Sequence, residues 1–130
     1  MITEDYVSFE NAKLLKEKGF DDEYTNAFYD KKGNLYFIDL LSDFSEHTDN
    51  DTDIAASTLY VAMKWLREVH NVAISVYVFN MDLPVEKGNI IYTCDVATTN
   101  KTSREGHLRL AGPYEEVCET AIKYCLENLI

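Results

Sequence analysis

Hydrophobic and polar positions along this chain repeat with two different periods, and the switches between them mark out its elements. Leu59, Ala62, Met63, Leu66 and Val69 recur at the three-and-four spacing of one helical face, with Val61 and Trp65 widening the stripe. This predicts a helix from about Ser57 to His70, packed against a sheet. Beyond it Val72, Ile74, Val76 and Val78 alternate with Ala73, Ser75, Tyr77 and Phe79. Ile90, Tyr92, Cys94 and Val96 alternate in the same way with Ile91, Thr93, Asp95 and Ala97. Two strands follow, joined through residues 80–89, which include Pro84 and Gly88. Near the carboxyl terminus the helical period returns: Val117, Ala121, Ile122, Cys125 and Leu129 form the stripe of a last helix. Pro113 suits its first turn, and Glu115 and Glu116 stand where the helix dipole favours acid.

The amino-terminal third is legible from its punctuation. Ser8 can accept from unpaired amides of the first turn of a helix running to Lys18, and Glu10 complements its positive end. Gly19 can take the left-handed turn that stops this helix, with Phe20 folding back toward Leu15 in a Schellman closure. Tyr24 to Tyr29 and Leu35 to Leu40 are short aromatic and β-branched runs joined by Asp30-Lys31-Lys32-Gly33-Asn34, which predicts a hairpin. Residues 42–53 are acidic and lack an apolar period, so a solvated, mobile loop is expected there, and 98–106 form a polar loop. His107 to Leu110 suit a short edge strand. The resulting class is α+β, a single domain over 1–130. Its antiparallel sheet has four or five strands with helices mainly on one face, in the order α-β-β-α-β-β-(β)-α.

Composition narrows the function classes. One hundred and thirty residues with 46% hydrophobic content can bury a core. The 12 basic and 23 acidic residues give a net charge of −11, which opposes binding to a phosphate backbone, so no direct nucleic-acid contact is expected. The acid is uneven: residues 1–56 hold 14 acids against 5 bases, and 57–130 hold 9 against 7, so −9 and −2. No apolar run reaches the length of a membrane span, and the amino terminus has neither a basic nor an apolar leader region. Three cysteines without a close pair fit reduced thiols, and a cytoplasmic location is expected. Cys118 and Cys125 share one helix face about 10 Å apart along the axis, too far for a bond within that helix.

Three segments carry a resemblance. V-S-F-E-N-A-K-L-L-K-E-K-G-F (7–20), S-T-L-Y-V-A-M-K-W-L-R-E-V-H-N (57–71) and Y-E-E-V-C-E-T-A-I-K-Y-C-L-E-N-L-I (114–130) together resemble a group of small uncharacterised proteins widespread in gut bacteria and their phages and mobile elements. That group is similar in its capped first helix, its K-W-L-R-E helix and its terminal Y-E-E helix. The resemblance covers about a third of the chain, and it implies no activity. Ser57 stands where relatives often have proline, and Val117-Cys118 where they often have Ala-Leu.

Candidate chemistry is sparse. Asp49, Asp51 and Asp53 alternate like the opening of a calcium loop, but Ile54 falls where that loop needs glycine and Tyr60 where it needs a bidentate glutamate. An acidic surface loop explains them. His47, His70 and His107 with Cys94, Cys118 and Cys125 lack close zinc spacing. Buried thiols and separate histidines explain those groups, with His70 at a helix carboxyl end where the dipole favours imidazolium. A Cys94–His107 pair would need the fold to bring the two together, and neither sits in a nucleophile motif. Neither a metal, a cofactor nor a catalytic residue is therefore assigned. Trp65 is either an interface anchor or part of the core stripe, and the stripe is the simpler account. Tyr24, Tyr29, Tyr36, Tyr77 and Tyr92 fall on predicted strands, and on a sheet covered from one side some of these rings would form an exposed face for a protein partner or a second copy. Tyrosine also simply suits a half-wet sheet. The expected function is accordingly non-catalytic protein–protein interaction. The alternatives are an acidic decoy of a DNA-binding protein and an enzyme of unrecognised type.

Overall fold

The computed structural model describes residues 3–38, 52–79, 90–98 and 110–130. Its elements run α1 (Phe9–Glu17), β1 (Ala27–Tyr29), β2 (Leu35–Phe37), β3 (Ile54–Ala55), α2 (Leu59–His70), β4 (Val72–Val78), β5 (Tyr92–Thr98) and α3 (Tyr114–Asn128). The class is α+β, and every strand pair is antiparallel. The strands divide into two sheets, β2-β1-β3 and β4-β5, where the alternation pattern suggests one. The reason is local. β3 takes the edge of β1 that the hairpin leaves open, and Gly112 takes the outer edge of β5 through reciprocal backbone bonds with Tyr92 of 2.9 and 3.1 Å. The chain forms two compact units, Met1–Thr58 and Leu59–Ile130.

In the first unit, Ser8 is extended and its Oγ accepts from the Asn11 amide at 3.2 Å, capping α1. At the other end the amide of Phe20 donates to the Leu15 carbonyl and that of Gly19, at φ +95°, to Lys16. This is the Schellman closure expected from the sequence. Asp30 organises the hairpin turn: its carboxylate accepts from the amides of Lys32 and Asn34, both at 2.9 Å, and Gly33 adopts φ +84°. These donors hold the Asp30 carboxyl below its ordinary range. The first strand begins at Ala27, not Tyr24, because the Asp22 carboxylate accepts from the Tyr24 amide and turns the chain there.

Two further boundaries differ from the periodicity reading. β3 is a two-residue strand, too short to register as a pattern. Ser57 and Thr58 are extended, not helical, because Ser57 accepts from the Val7 amide at 2.9 Å and Thr58 bridges Tyr6, so α2 starts at Leu59. The expected loop at 42–53 lies outside the described residues except for Thr52 and Asp53. The 80–89 connection is also outside them, as are 99–106 of the second loop and, apart from Leu110, the expected strand at 107–110.

The second unit follows its periodicity closely. α2 lies against β4 and α3, and α3 lies across β4 and β5. Val72, Ile74 and Val76 face this helical layer while Ala73, Ser75 and Tyr77 are exposed, so the helices cover one face of the ribbon. Cys94, Val117 and Ala121 form the core cluster, flanked by Ile74, Val76, Tyr92 and Leu110. Cys118 and Leu126 join the expected α3 stripe. Val69, at the edge of the α2 stripe in its last turn, is exposed. Asn71, at φ +55°, reverses the chain from α2 directly into β4.

The two left-handed glycines of the first unit differ in surroundings. A methyl group at Gly19 meets nothing within 4 Å, whereas one at Gly33 comes within 2.8 Å of the Phe9 ring. Gly19→Ala is expected to cost about 1 kcal/mol, the backbone penalty alone. Gly33→Ala is expected to cost clearly more, and urea denaturation of the two variants measures the difference.

Candidate functional site

The fold does not gather the five strand tyrosines on one face. Tyr24 lies in a turn, 92% exposed. Tyr29 is buried on β1, and its hydroxyl donates to the Val7 carbonyl at 2.7 Å. Tyr36 stacks on Phe28, directly opposite it on β1, with ring centroids 6.0 Å apart, and its hydroxyl donates to the Asp53 carboxylate. Partial burial first, then that carboxylate, pushes the Tyr36 phenol up to about 12. In the second unit Tyr77 is on the uncovered side of β4, while Tyr92 turns to the core side of β5 and meets Tyr114 edge-on at 5.3 Å.

The fold brings the three thiols toward one another. Cys94 on β5 and Cys118 and Cys125 on α3 are all fully buried and reduced, and Cys118 and Cys125 each feel the charge of Cys94. Burial is the main cause that pushes Cys94 up, Cys118 to about 11 and Cys125 to about 12. A thiol held protonated at neutral pH is a packing group and a poor nucleophile or metal ligand. Among the described residues no cluster of His, Cys, Asp and Glu is arranged to hold a metal ion. His47, His107, Asp49 and Asp51 lie outside the described residues. His70 packs edge-on against Trp65, centroids 4.6 Å apart, so both rings serve the end of α2.

Among the described residues the first unit also carries a surface groove. This groove of about 500 Å³ runs between the segment Thr3–Tyr6 and the hairpin, floored by Tyr29, Leu35 and Phe37. Phe37 is 56% exposed and Leu35 38%, and the Tyr6 ring meets Phe37 edge-on at 5.4 Å. Glu4 and Asp5 line the same groove. Sequence reasoning that counts tyrosines selects Tyr36, whose neighbours Leu35 and Phe37 point to the opposite side of β2. The signal that distinguishes them is the strand's own alternation.

The thiol arrangement has two measurable consequences. Alkylation at neutral pH is expected to be negligible in the native protein and to reach all three cysteines in denaturant, as counted by mass spectrometry. Each thiol is raised on folding. Its contribution to stability is therefore complete below the unfolded value near 9 and is lost as pH rises toward 11 to 12. Thermal melts between neutral pH and pH 11 should show a fall that Cys125→Ala reduces.

Among the described residues no helix is long and apolar enough to cross a membrane. Comparison of the chain with family models, curated proteins and solved structures finds no match in any of the three.

Proposed function

We propose that this protein acts as a non-catalytic protein–protein interaction module. The observation that carries this reading is the exposure of large apolar side chains on or beside strands. Leu35 and Phe37 are exposed in this way in the first unit, and Tyr77, with Phe79 just beyond the end of β4, in the second. Strand-borne apolar groups beside polar ones are the usual makings of an interface core and rim. The buried thiols support the same reading, since the nucleophiles the fold encloses are held in their unreactive form. The acidic-decoy alternative rests on the −9 of residues 1–56.

A photo-crosslinking amino acid placed at Phe37 or at Tyr77 in the native host is expected to trap a discrete protein partner. The same group at Lys64, exposed on α2, is the control. Crosslinks no more frequent at Phe37 and Tyr77 than at Lys64 would overturn the interaction reading.

A further inference from the structure

The hairpin register fixes which backbone groups of β2 point outward. Ile38 donates to Asn26 at 2.7 Å and Asp30 to Asn34 at 3.0 Å, so the hydrogen-bonded pairs of β1 and β2 are 26–38, 28–36 and 30–34. Leu35 and Phe37 occupy the intervening pairs, and their amides and carbonyls face away from β1. β2 is the outer strand of its sheet, and among the described residues nothing pairs with these groups. The Leu35 and Phe37 side chains project into the groove beside the same edge. Edge strands are commonly blunted by a proline, a lysine or a bulge. β2 reads Leu-Tyr-Phe and carries none of these.

We propose that β2 and the groove receive an extended, basic segment of a partner protein, added antiparallel or parallel to β2 as a fourth strand. This deepens the interaction reading and rests on it. An added strand bonds its backbone to Leu35 and Phe37 and sends alternate side chains over Leu35, Phe37 and Tyr6. Charge chooses among occupants. Glu4 and Asp5 line the groove, and residues 1–56 carry −9. A second copy would bring the same carboxylates against each other, whereas lysines or arginines of an added segment would meet them with opposite sign. Lys31 and Lys32 belong to the turn before β2 and do not line the groove.

The test uses the full chain and a synthetic peptide of about seven residues alternating lysine with valine, long enough to span β2. Three companions are the glutamate–valine analogue, a lysine–valine peptide N-methylated at alternate amides, and a scrambled peptide of the same composition that breaks the alternation. Titration followed by amide NMR is expected to shift Leu35 and Phe37. Binding should weaken at least about tenfold with N-methylation, with the glutamate analogue and with Phe37→Lys, and the scrambled peptide should bind less than the alternating one. Circular dichroism checks that the variant stays folded, and Leu35→Thr, which keeps strand propensity, serves as a second variant. Equal binding of lysine and glutamate peptides, indifference to N-methylation, or shifts confined to 59–130 would overturn the proposal. So would light scattering that shows a dimer abolished by Phe37→Lys, which assigns the edge to a second copy. A failed peptide with partner crosslinks still trapped at Tyr77 removes this edge and leaves the interaction reading standing, whereas absence of crosslinks at both positions removes that reading itself.

Discussion

Strands of three, three and two residues are too short for a ladder to hold by itself, and the first unit depends on what the Tyr29 hydroxyl does. By donating to the Val7 carbonyl from the centre of the sheet, it fastens β1 to the residue that leads into α1. Val7 in turn donates to Ser57, so one buried phenol links the middle strand, the first helix and the segment after β3. Two other side chains extend the principle: Thr25 donates to the Ala56 carbonyl at 2.7 Å and accepts from the Ala27 amide, and Tyr36 reaches Asp53. Side chain to backbone bonds therefore do here what length does in larger sheets. A buried carbonyl deprived of its donor costs about 1–3 kcal/mol, so such contacts are a large share of a small unit's stability.

The second unit is built on the opposite economy of means. Its two strands of seven residues pair in unbroken register, and its helices meet them through a continuous apolar stripe. Asn71 in the left-handed region lets α2 pass into β4 without an intervening loop, which fixes the helix over the strand it covers. Cysteine serves as a small apolar residue in this core, filling space between α3 and β5 that a larger side chain would overpack.

How much of this was legible in the chain follows from the range of each interaction. The cap at Ser8, the closure at Gly19, the hairpin turn and the stripes of α2 and α3 are set by neighbours within a few positions, and the sequence reading finds them. β3 and the extended Ser57–Thr58 depend on partners at Phe28, Tyr29, Tyr6 and Val7, dozens of residues away, and no local pattern announces them. The candidate site was legible in part for the same reason. Aromatic richness pointed to the right strands, yet Tyr29 is buried serving the backbone, and on the same face of the sheet the exposed positions belong to Leu35 and Phe37 of β2.

The division into two units also confines the indole and the thiols to one of them. The single tryptophan, Trp65, and all three cysteines belong to Leu59–Ile130, while the first unit holds neither residue type. Indole fluorescence and thiol labelling are thus natural reporters on the second unit. Phenol absorbance and near-ultraviolet dichroism average over both units, since four of the nine tyrosines belong to the first and five to the second. An unfolding experiment followed by both kinds of probe reads the cooperativity between the units without any engineered label.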